Sequence, residues 1–328
     1  KEVDREGASV IGGGATGIVL KAHWRGVDVA CKVLKPQKKG SEEGRQAFED
    51  MIQEIKFASR FVRHPNLLMF LGASVEDYNP IIVYEFMPWG SVEDFYKAKT
   101  EEIRDDVYRP PFELAARWCH HLANGLKYLH TCNPCIIHRD IKPANIFVSA
   151  DISTLKIGDF GIATFKYDEG ESEPRQMTGM TGSLRYMAPE VFLNSENYDE
   201  KVDIYSAAMM MYFIACGRRA YHNMAVDMQI VAQGAATSGL RPCLNVKGLE
   251  SKGLKDLIVM SWAANPNERP TAADLCEGLS KMIGQPTKTG AAGKFATMKA
   301  LLKFKVKTSR QVKKIREFDG LMTRLKKM

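Results

Sequence analysis

The chain has 328 residues, 45% hydrophobic and 26% charged, which is enough for two lobes and a sizeable core with an ordinary globular balance. Its greasiest stretches, Ile81–Val83 and Ala207–Ala215, are too short or too mixed for the ~20 apolar residues of a membrane span, and the N-terminus does not read as a signal peptide. The net charge of +7 sits in a tail: Gly284–Met328 carries 13 Lys/Arg and 2 Asp/Glu, a balance of +11, which leaves the remainder near −4.

In chain order, residues 8–19 read as a strand, a glycine turn and a second strand, and Val27–Leu34 as an alternating strand. Ser41–Phe61 places Phe48, Met51, Ile52, Ile55 and Phe57 at helical spacing, and Leu67–Val75 and Ile81–Phe86 read as two more strands. Past Gly90 the pattern turns helical, most clearly over Phe112–His130 with Leu114, Ala115, Trp118, Leu122, Leu126 and Leu129 on one face. Short strands are predicted at Ile146–Val148 and Thr154–Ile157, and a polar loop at Asp168–Gly182. Helices follow at Lys201–Gly217, Asp227–Gly234, Gly253–Trp262 and Thr271–Ile283, then a linker at Pro286–Gly293 and a basic helical segment at Lys294–Met328. No internal repeat is present. The chain opens on Lys1 instead of Met, as a piece of a longer protein would. The seven scattered cysteines, odd in number, point to reduced thiols in a cytosolic or nuclear protein, and Cys132-Asn-Pro-Cys135 to a short turn before a strand.

Gly12-x-Gly14-x-x-Gly17-x-Val19 lies between two strand candidates. A dinucleotide site needs such glycines to open a helix, whereas Ile18-Val19-Leu20-Lys21-Ala22 favours a strand. Glycine permits close approach to phosphate oxygens and allows positive φ. On the next strand, alternation puts Ala30 and Lys32 on one face, the small residue leaving room for a planar base and the lysine reaching the α- and β-phosphates. Lys32 needs an acidic partner from the following helix; Glu54 is the best candidate, with Glu49 and Asp50 as alternatives by charge.

His138-Arg139-Asp140-Ile141-Lys142-Pro143-Ala144-Asn145, Asp159-Phe160-Gly161 and Ala188-Pro189-Glu190 resemble, in order and spacing, the signature set of the eukaryotic protein kinase family. With the glycine loop and Lys32 the resemblance covers about residues 8–283. It implies an α+β bilobal fold: a β-rich N-lobe over about 1–86, a hinge near 86–90 and a mainly helical C-lobe over about 91–283. It also implies ATP and Mg²⁺. Asp140 would orient the substrate hydroxyl and accept its proton, Asn145 and Asp159 would hold the metal, and Lys32 and Lys142 would offset phosphate charge. Lys142 resembles the serine/threonine class, and Ser183 would shape the substrate pocket. The hinge segment Tyr84-Glu85-Phe86-Met87 would bond adenine through backbone groups of Glu85 and Met87, with Tyr84 as a bulky gatekeeper and Val19, Ala30 and Phe147 around the base.

His64-Pro65-Asn66-Leu67, Thr181-Gly182-Ser183-Leu184-Arg185-Tyr186-Met187-Ala188-Pro189-Glu190 and Trp262-Ala263-x-Asn265-Pro266-x-x-Arg269-Pro270-Thr271 resemble the tyrosine-kinase-like branch, which contains Raf, mixed-lineage and many plant and protist kinases. In that pattern Arg269 pairs with Glu190, and Asp203 binds backbone amides of the catalytic loop. Two departures stand out. Glu54 precedes His64 by ten residues where nine is usual, so one residue must be absorbed after the helix or within it. Ala207-Ala208 stands where a bulky residue and glycine are common.

Arg139, ahead of Asp140, resembles the arginine of kinases ordered by a phosphate on the activation loop. Thr178 is the first candidate site and Thr181 the second, with Ser172 in an acidic stretch. The expected partners are a protein substrate and an upstream activating kinase. The tail stripe Ile315, Phe318, Met322 and Leu325 suits the kinase domain itself, a calmodulin-like protein or an anionic membrane surface better than nucleic acid. The expected location is cytoplasmic, with nuclear or membrane-peripheral alternatives. The competing reading is a catalytically inert scaffold with a kinase fold; the presence of Lys32, Asp140 and Asp159 argues against it.

Overall fold

The computed structural model describes residues 3–14, 17–35, 41–60, 64–75, 79–103, 106–166, 184–193 and 198–283. Thr178, Thr181, Ser172, Ser183, the linker and the basic tail lie outside the described residues.

The N-terminal part is an antiparallel sheet built from β1 (Val3–Gly13), β2 (Gly17–Trp24), β3 (Val27–Leu34), β4 (Phe70–Ser74) and β5 (Ile81–Glu85), in the order β1-β2-β3-β5-β4. Alternation sorts its side chains. Val29 and Cys31 point into one apolar cluster with Ala22 and Val83, while Ala30 lies against the cluster of Ile82, Tyr84 and Met87 on the other face. That second face is covered by α1 (Glu42–Ala58), which contributes Met51 and Ala58. Helix α1 starts where Ser41 accepts a hydrogen bond from the Gly44 N–H at 3.2 Å, an N-cap worth about 1 kcal/mol.

The strand expected over Leu67–Val75 begins only at Phe70. The residues ahead of it are drawn to the C-lobe instead: Leu68 N–H donates to Ile157 O at 2.7 Å and Ile157 N–H to Asn66 O at 2.8 Å. The Leu68 N–H and the Asn66 carbonyl are thus satisfied by β8 (Leu155–Ile157), and only at Met69, whose carbonyl accepts from Glu85 N–H at 3.0 Å, does the chain join the N-lobe sheet. This exchange links the two lobes through their backbones.

The C-lobe is built on α3 (Phe112–His130) and α5 (Lys201–Cys216), with α2 (Val92–Ile103), α4 (Pro189–Phe192), α6 (Met228–Thr237), α7 (Lys252–Ser261) and α8 (Ala272–Ser280) around them. Every residue of α5 from Val202 to Cys216 is buried, so its sequence shows no polar face. Ala207 and Ala208 are absorbed into that packing, both fully buried. Helix α2 was not singled out in the sequence. Its inward positions are Val92, Phe95, Tyr96 and Lys99, and a lysine in the fourth place hides the apolar period. Lys99 is accommodated by Glu102 at 2.5 Å and by the ring face of Trp89 at 4.8 Å. Among the described residues no helix is long and apolar enough to cross a membrane.

Two small antiparallel ladders position the functional loops. β6 (Ile136–Ile137) pairs with β9 (Thr164–Phe165), and β7 (Ile146–Val148) pairs with β8. Residues 138–145 are therefore pinned between β6 and β7, and residues 158–163 between β8 and β9.

Candidate active site

The two pinned loops are joined directly, since Gly158 N–H donates to Asn145 O at 2.9 Å and His138 Nε2 lies 3.1 Å from Gly158 O. His138 also packs its ring on Phe160, centroids 5.0 Å apart. Beneath them, Asp203 at the start of α5 accepts from His138 N–H and Arg139 N–H, both at 2.8 Å, and from His130 Nε2 at 2.9 Å. Burial pushes the Asp203 carboxyl up, but the His130 and His138 contacts outweigh it and hold the pKa below the usual carboxylate range. Arg139 and Asp159 both adopt left-handed backbone, φ 66° and 62°, a conformation that costs a non-glycine residue energy and that the surrounding bonds must impose.

On this platform Asp140, Lys142 and Asn145 converge. Asn145 Nδ2 donates to Asp140 Oδ2 at 2.8 Å and to the Asp140 carbonyl at 2.9 Å. Lys142 Nζ is 2.7 Å from the same Oδ2. Because both amide hydrogens of Asn145 are committed to Asp140, its Oδ1 is left as the acceptor end of the side chain.

Across the cleft, Lys32 Nζ donates to Glu54 Oε2 at 2.6 Å and to Asp159 Oδ1 at 3.0 Å. Glu54 is thus the partner of Lys32; Glu49 is exposed and Asp50 accepts from Gln46. The extra residue before His64 falls after α1, which ends at Ala58, and the pair forms without a bulge in the helix. Burial works against the Lys32 charge, but Asp159 and Glu54 overcome it and raise the pKa. For Asp159 burial also opposes the charged form, and the Lys32 ammonium outweighs it and lowers the pKa. Glu54 keeps a raised pKa because desolvation exceeds what Lys32 gives back.

The residues expected to receive a base line one apolar wall. Ala30 is opposite Tyr84 in the β3–β5 register, and Phe147 on β7 packs with Ala30 against the Tyr84 and Met87 cluster. Val19 is opposite Lys32 across β2 and β3. Met87 O accepts from Gly90 N–H at 2.9 Å, closing the hinge turn. Glu85 contributes more than backbone: its carboxylate accepts from Met69 N–H at 2.7 Å and from Lys156 Nζ at 2.6 and 2.8 Å. In the glycine turn Gly14 N–H donates to Gly17 O at 2.9 Å. Gly12, Gly14 and Gly17 do not take the positive φ that glycine allows there. What matters is the missing side chain: a Cβ on Gly17 would meet Val33 O at 2.6 Å, whereas Gly14 faces open space.

Arg139 is buried, its Nε donating to Ile162 O at 2.6 Å and its Nη1 to the Tyr198 hydroxyl at 3.0 Å. Tyr198, His130 and Lys156 were not picked out in the sequence. His130 closes the long amphipathic helix eight residues ahead of His138, a local signal that could have found it. Nothing local announces Lys156, 71 residues from Glu85. Arg269 and Glu190 form the expected pair, Nη1–Oε1 2.6 Å and Nη2–Oε2 2.8 Å.

The donor set fits magnesium. Asn145 and Asp159 offer oxygen ligands only, and among the described residues no group of three or more His, Cys, Asp and Glu side chains is arranged to hold a metal. An ion bound here must draw its other ligands from phosphate and water, as Mg²⁺ does.

Comparison with known proteins agrees with this geometry. The protein kinase domain family matches residues 6–278. The serine/threonine-protein kinase VIK of Arabidopsis thaliana is 34% identical over 282 residues, covering 86% of this chain and 60% of that protein. Serine/threonine-protein kinase STY46 of the same plant is 34% identical over 283 residues, covering 85% and 44%. Mitogen-activated protein kinase kinase kinase 7 of Homo sapiens is 33% identical over 288 residues, covering 86% and 42%. The chain thus spans between 42% and 60% of the length of these relatives. On the family match, the motifs and the fold together, the chain belongs to the protein kinase family, on its tyrosine-kinase-like branch.

Proposed function

We propose that the chain is an ATP-dependent protein serine/threonine kinase. The observation that carries this reading is the convergence of Asp140, Lys142 and Asn145, with Lys142 2.7 Å and Asn145 2.8 Å from Asp140 Oδ2, facing the Lys32, Glu54 and Asp159 chain. The names of the relatives support it.

In the proposed reaction a substrate hydroxyl oxygen bonds to the γ-phosphorus of ATP, the bond to the bridging oxygen breaks, and ADP leaves. Asp140 orients the hydroxyl and takes its proton. Asn145 holds the Asp140 carboxylate through one bond to Oδ2 and ties its own amide to the Asp140 backbone carbonyl through a second, and so favours one rotamer of the base. Lys142 keeps a positive charge beside Asp140 and offsets the negative charge of the transferring group. Lys32, held by Glu54, reaches the α- and β-phosphates. Asn145 and Asp159 would hold Mg²⁺, which when bound neutralises charge on the phosphate oxygens. Tyr84, Ala30, Val19, Phe147, Glu85 and Met87 receive the base, and Gly12, Gly14 and Gly17 let backbone come close to phosphate.

Lys142 and Ser183 favour serine and threonine acceptors over tyrosine. A place in a signalling cascade, a protein substrate and an activating phosphate at Thr178, Thr181 or Ser172 facing Arg139 belong to the same proposal, as does a cytoplasmic location. The test is transfer of labelled γ-phosphate to a mixed library of Ser, Thr and Tyr peptides, followed by phosphoamino-acid analysis. Label on Ser or Thr supports the reading. Label on Tyr alone contradicts the specificity, and no label after treatment with an activating kinase contradicts the activity.

A further inference from the structure

Resting on the kinase reading above, we propose that Tyr84 is a positioning residue for the phosphate site: its hydroxyl holds Glu54, so that Glu54 can hold Lys32. Tyr84 OH donates to Glu54 Oε1 at 2.8 Å while Lys32 donates to Oε2 at 2.6 Å. The two carboxylate oxygens are thereby shared between the sheet's central lysine and a phenol on the neighbouring strand. Lys32 goes on to Asp159 Oδ1 at 3.0 Å. The result is one chain of polar contacts, Tyr84 to Glu54 to Lys32 to Asp159, running from the wall of the base pocket to a proposed metal ligand.

The geometry makes the phenol more than a pocket wall. Tyr84 sits in the middle of the sheet, opposite Ala30 on β3 and Phe70 on β4, and its ring meets that of Phe70 edge-on with centroids 6.1 Å apart. Its position is set by strands. Glu54 sits on α1, whose attachment to the rest of the protein runs through a few side chains, Met51 in the apolar cluster and Phe57 against Phe165 at 4.7 Å among them. The hydroxyl therefore ties a helix to a sheet at the residue on which Lys32 depends. Glu54 and Tyr84 are both buried, and the apolar neighbours Met51, Leu68 and Met87 offer no substitute donor to Oε1. Without the hydroxyl, a buried carboxylate oxygen must go unpaired, turn toward Lys32, or leave with α1 for solvent. Each response changes the geometry in which Glu54 presents Lys32 to the phosphate site, either by letting the carboxylate drift or by drawing the ammonium back toward Glu54. The same reach suits the bulky gatekeeper expected at this position, because ring and hydroxyl together span from β5 to α1.

The test compares binding of Mg-ADP and of adenosine to the wild-type chain, Tyr84→Phe, Glu54→Gln and the double variant by calorimetry. Adenosine reports the base pocket alone, and ADP adds the phosphates that Lys32 would meet. The expected result is that Tyr84→Phe weakens ADP about five- to tenfold, an effect the size of one typical hydrogen bond, and changes adenosine less than about twofold. In the Glu54→Gln background Tyr84→Phe should add no further loss. Tyr84→Met, which keeps apolar volume without the hydroxyl, should reproduce the selective loss of ADP. Equal weakening of both ligands would assign Tyr84 to the base pocket only and overturn the proposal. So would an unchanged ADP affinity, or effects of Tyr84→Phe and Glu54→Gln that multiply. A wild-type chain that binds neither ligand overturns the kinase reading and this proposal together, whereas wild-type binding with the wrong variant pattern overturns this proposal alone.

Discussion

Arg269→Lys should unfold the C-lobe at a much lower temperature, although it preserves charge. The Arg269 side chain is fully buried, with 0% exposure, and its five N–H groups are all used. Nε donates to Ala263 O at 2.9 Å, Nη1 to Glu190 Oε1 at 2.6 Å and Lys201 O at 3.0 Å, and Nη2 to Glu190 Oε2 at 2.8 Å and Ala264 O at 3.3 Å. The guanidinium also stacks over Tyr205, 5.1 Å from its centroid. An exposed ion pair contributes about 0–1 kcal/mol, so a lysine at the surface would hardly be noticed. Here an ammonium has three donors in a compact head and cannot reproduce the planar fork. Some of the three carbonyls and one Glu190 oxygen lose their partner in a dry site, at about 1–3 kcal/mol for each orphan. Partial rescue by the lysine brings the expected total to about 3–5 kcal/mol, the range for breaking a buried pair. At ~2–4 °C per kcal/mol for a domain of this size, the Tm should fall by roughly 10 °C in thermal unfolding followed by circular dichroism. A fall under about 2 °C would show that the fork geometry is unimportant and refute the reasoning.

Acid sensitivity should trace in part to His121. Burial, with the charges of His120 and Arg117 nearby, pushes its pKa down to about 4. The folded value lies below the unfolded one of about 6.5, so the stabilisation is complete above pH ~6.5 and drains away as pH falls toward 4. With partial solvent access taken into account, about 1–3 kcal/mol should disappear across that window, and urea unfolding of His121→Gln should show a correspondingly flatter pH dependence. Chelation should stop phosphoryl transfer and added Mg²⁺ restore it, since Asn145 and Asp159 complete a coordination shell only with phosphate and water; transfer that persists in EDTA would contradict the proposed metal role.

Much of the site was legible because its chemistry is local in sequence. Asp140, Lys142 and Asn145 fall within six residues, and alternation alone put Ala30 and Lys32 on one face of β3. The strand Val27–Leu34 and the helix Phe112–His130 emerged with their observed bounds, since each buries one clear face. What stayed hidden depends on tertiary contact. Glu85 meets Lys156 across 71 residues and His130 meets Asp203 across 73, and no periodicity reports such pairs. Leu67 and Leu68 looked like strand residues because they are apolar, yet the Leu68 N–H pairs with Ile157 in the other lobe and the Leu67 N–H with His64 O in the turn before it. Lys99 concealed α2 because a buried ammonium shielded by Trp89 and Glu102 reads, in sequence, as an exposed one. Within the glycine turn, sequence marked the need for glycine but gave φ as one reason, where at Gly17 the close approach of Val33 O is sufficient.

The central claim is that Asp140, held by Asn145 and Lys142, carries phosphoryl transfer to serine or threonine. Its most direct test is Mg-ATP-dependent phosphorylation by the purified chain beside Asp140→Asn, with the modified residues mapped by mass spectrometry. Asparagine keeps the shape but cannot take the proton, and the account predicts phosphate on Ser or Thr with the wild type and a loss of about a hundredfold or more in the variant. Equal incorporation by both proteins would contradict the account.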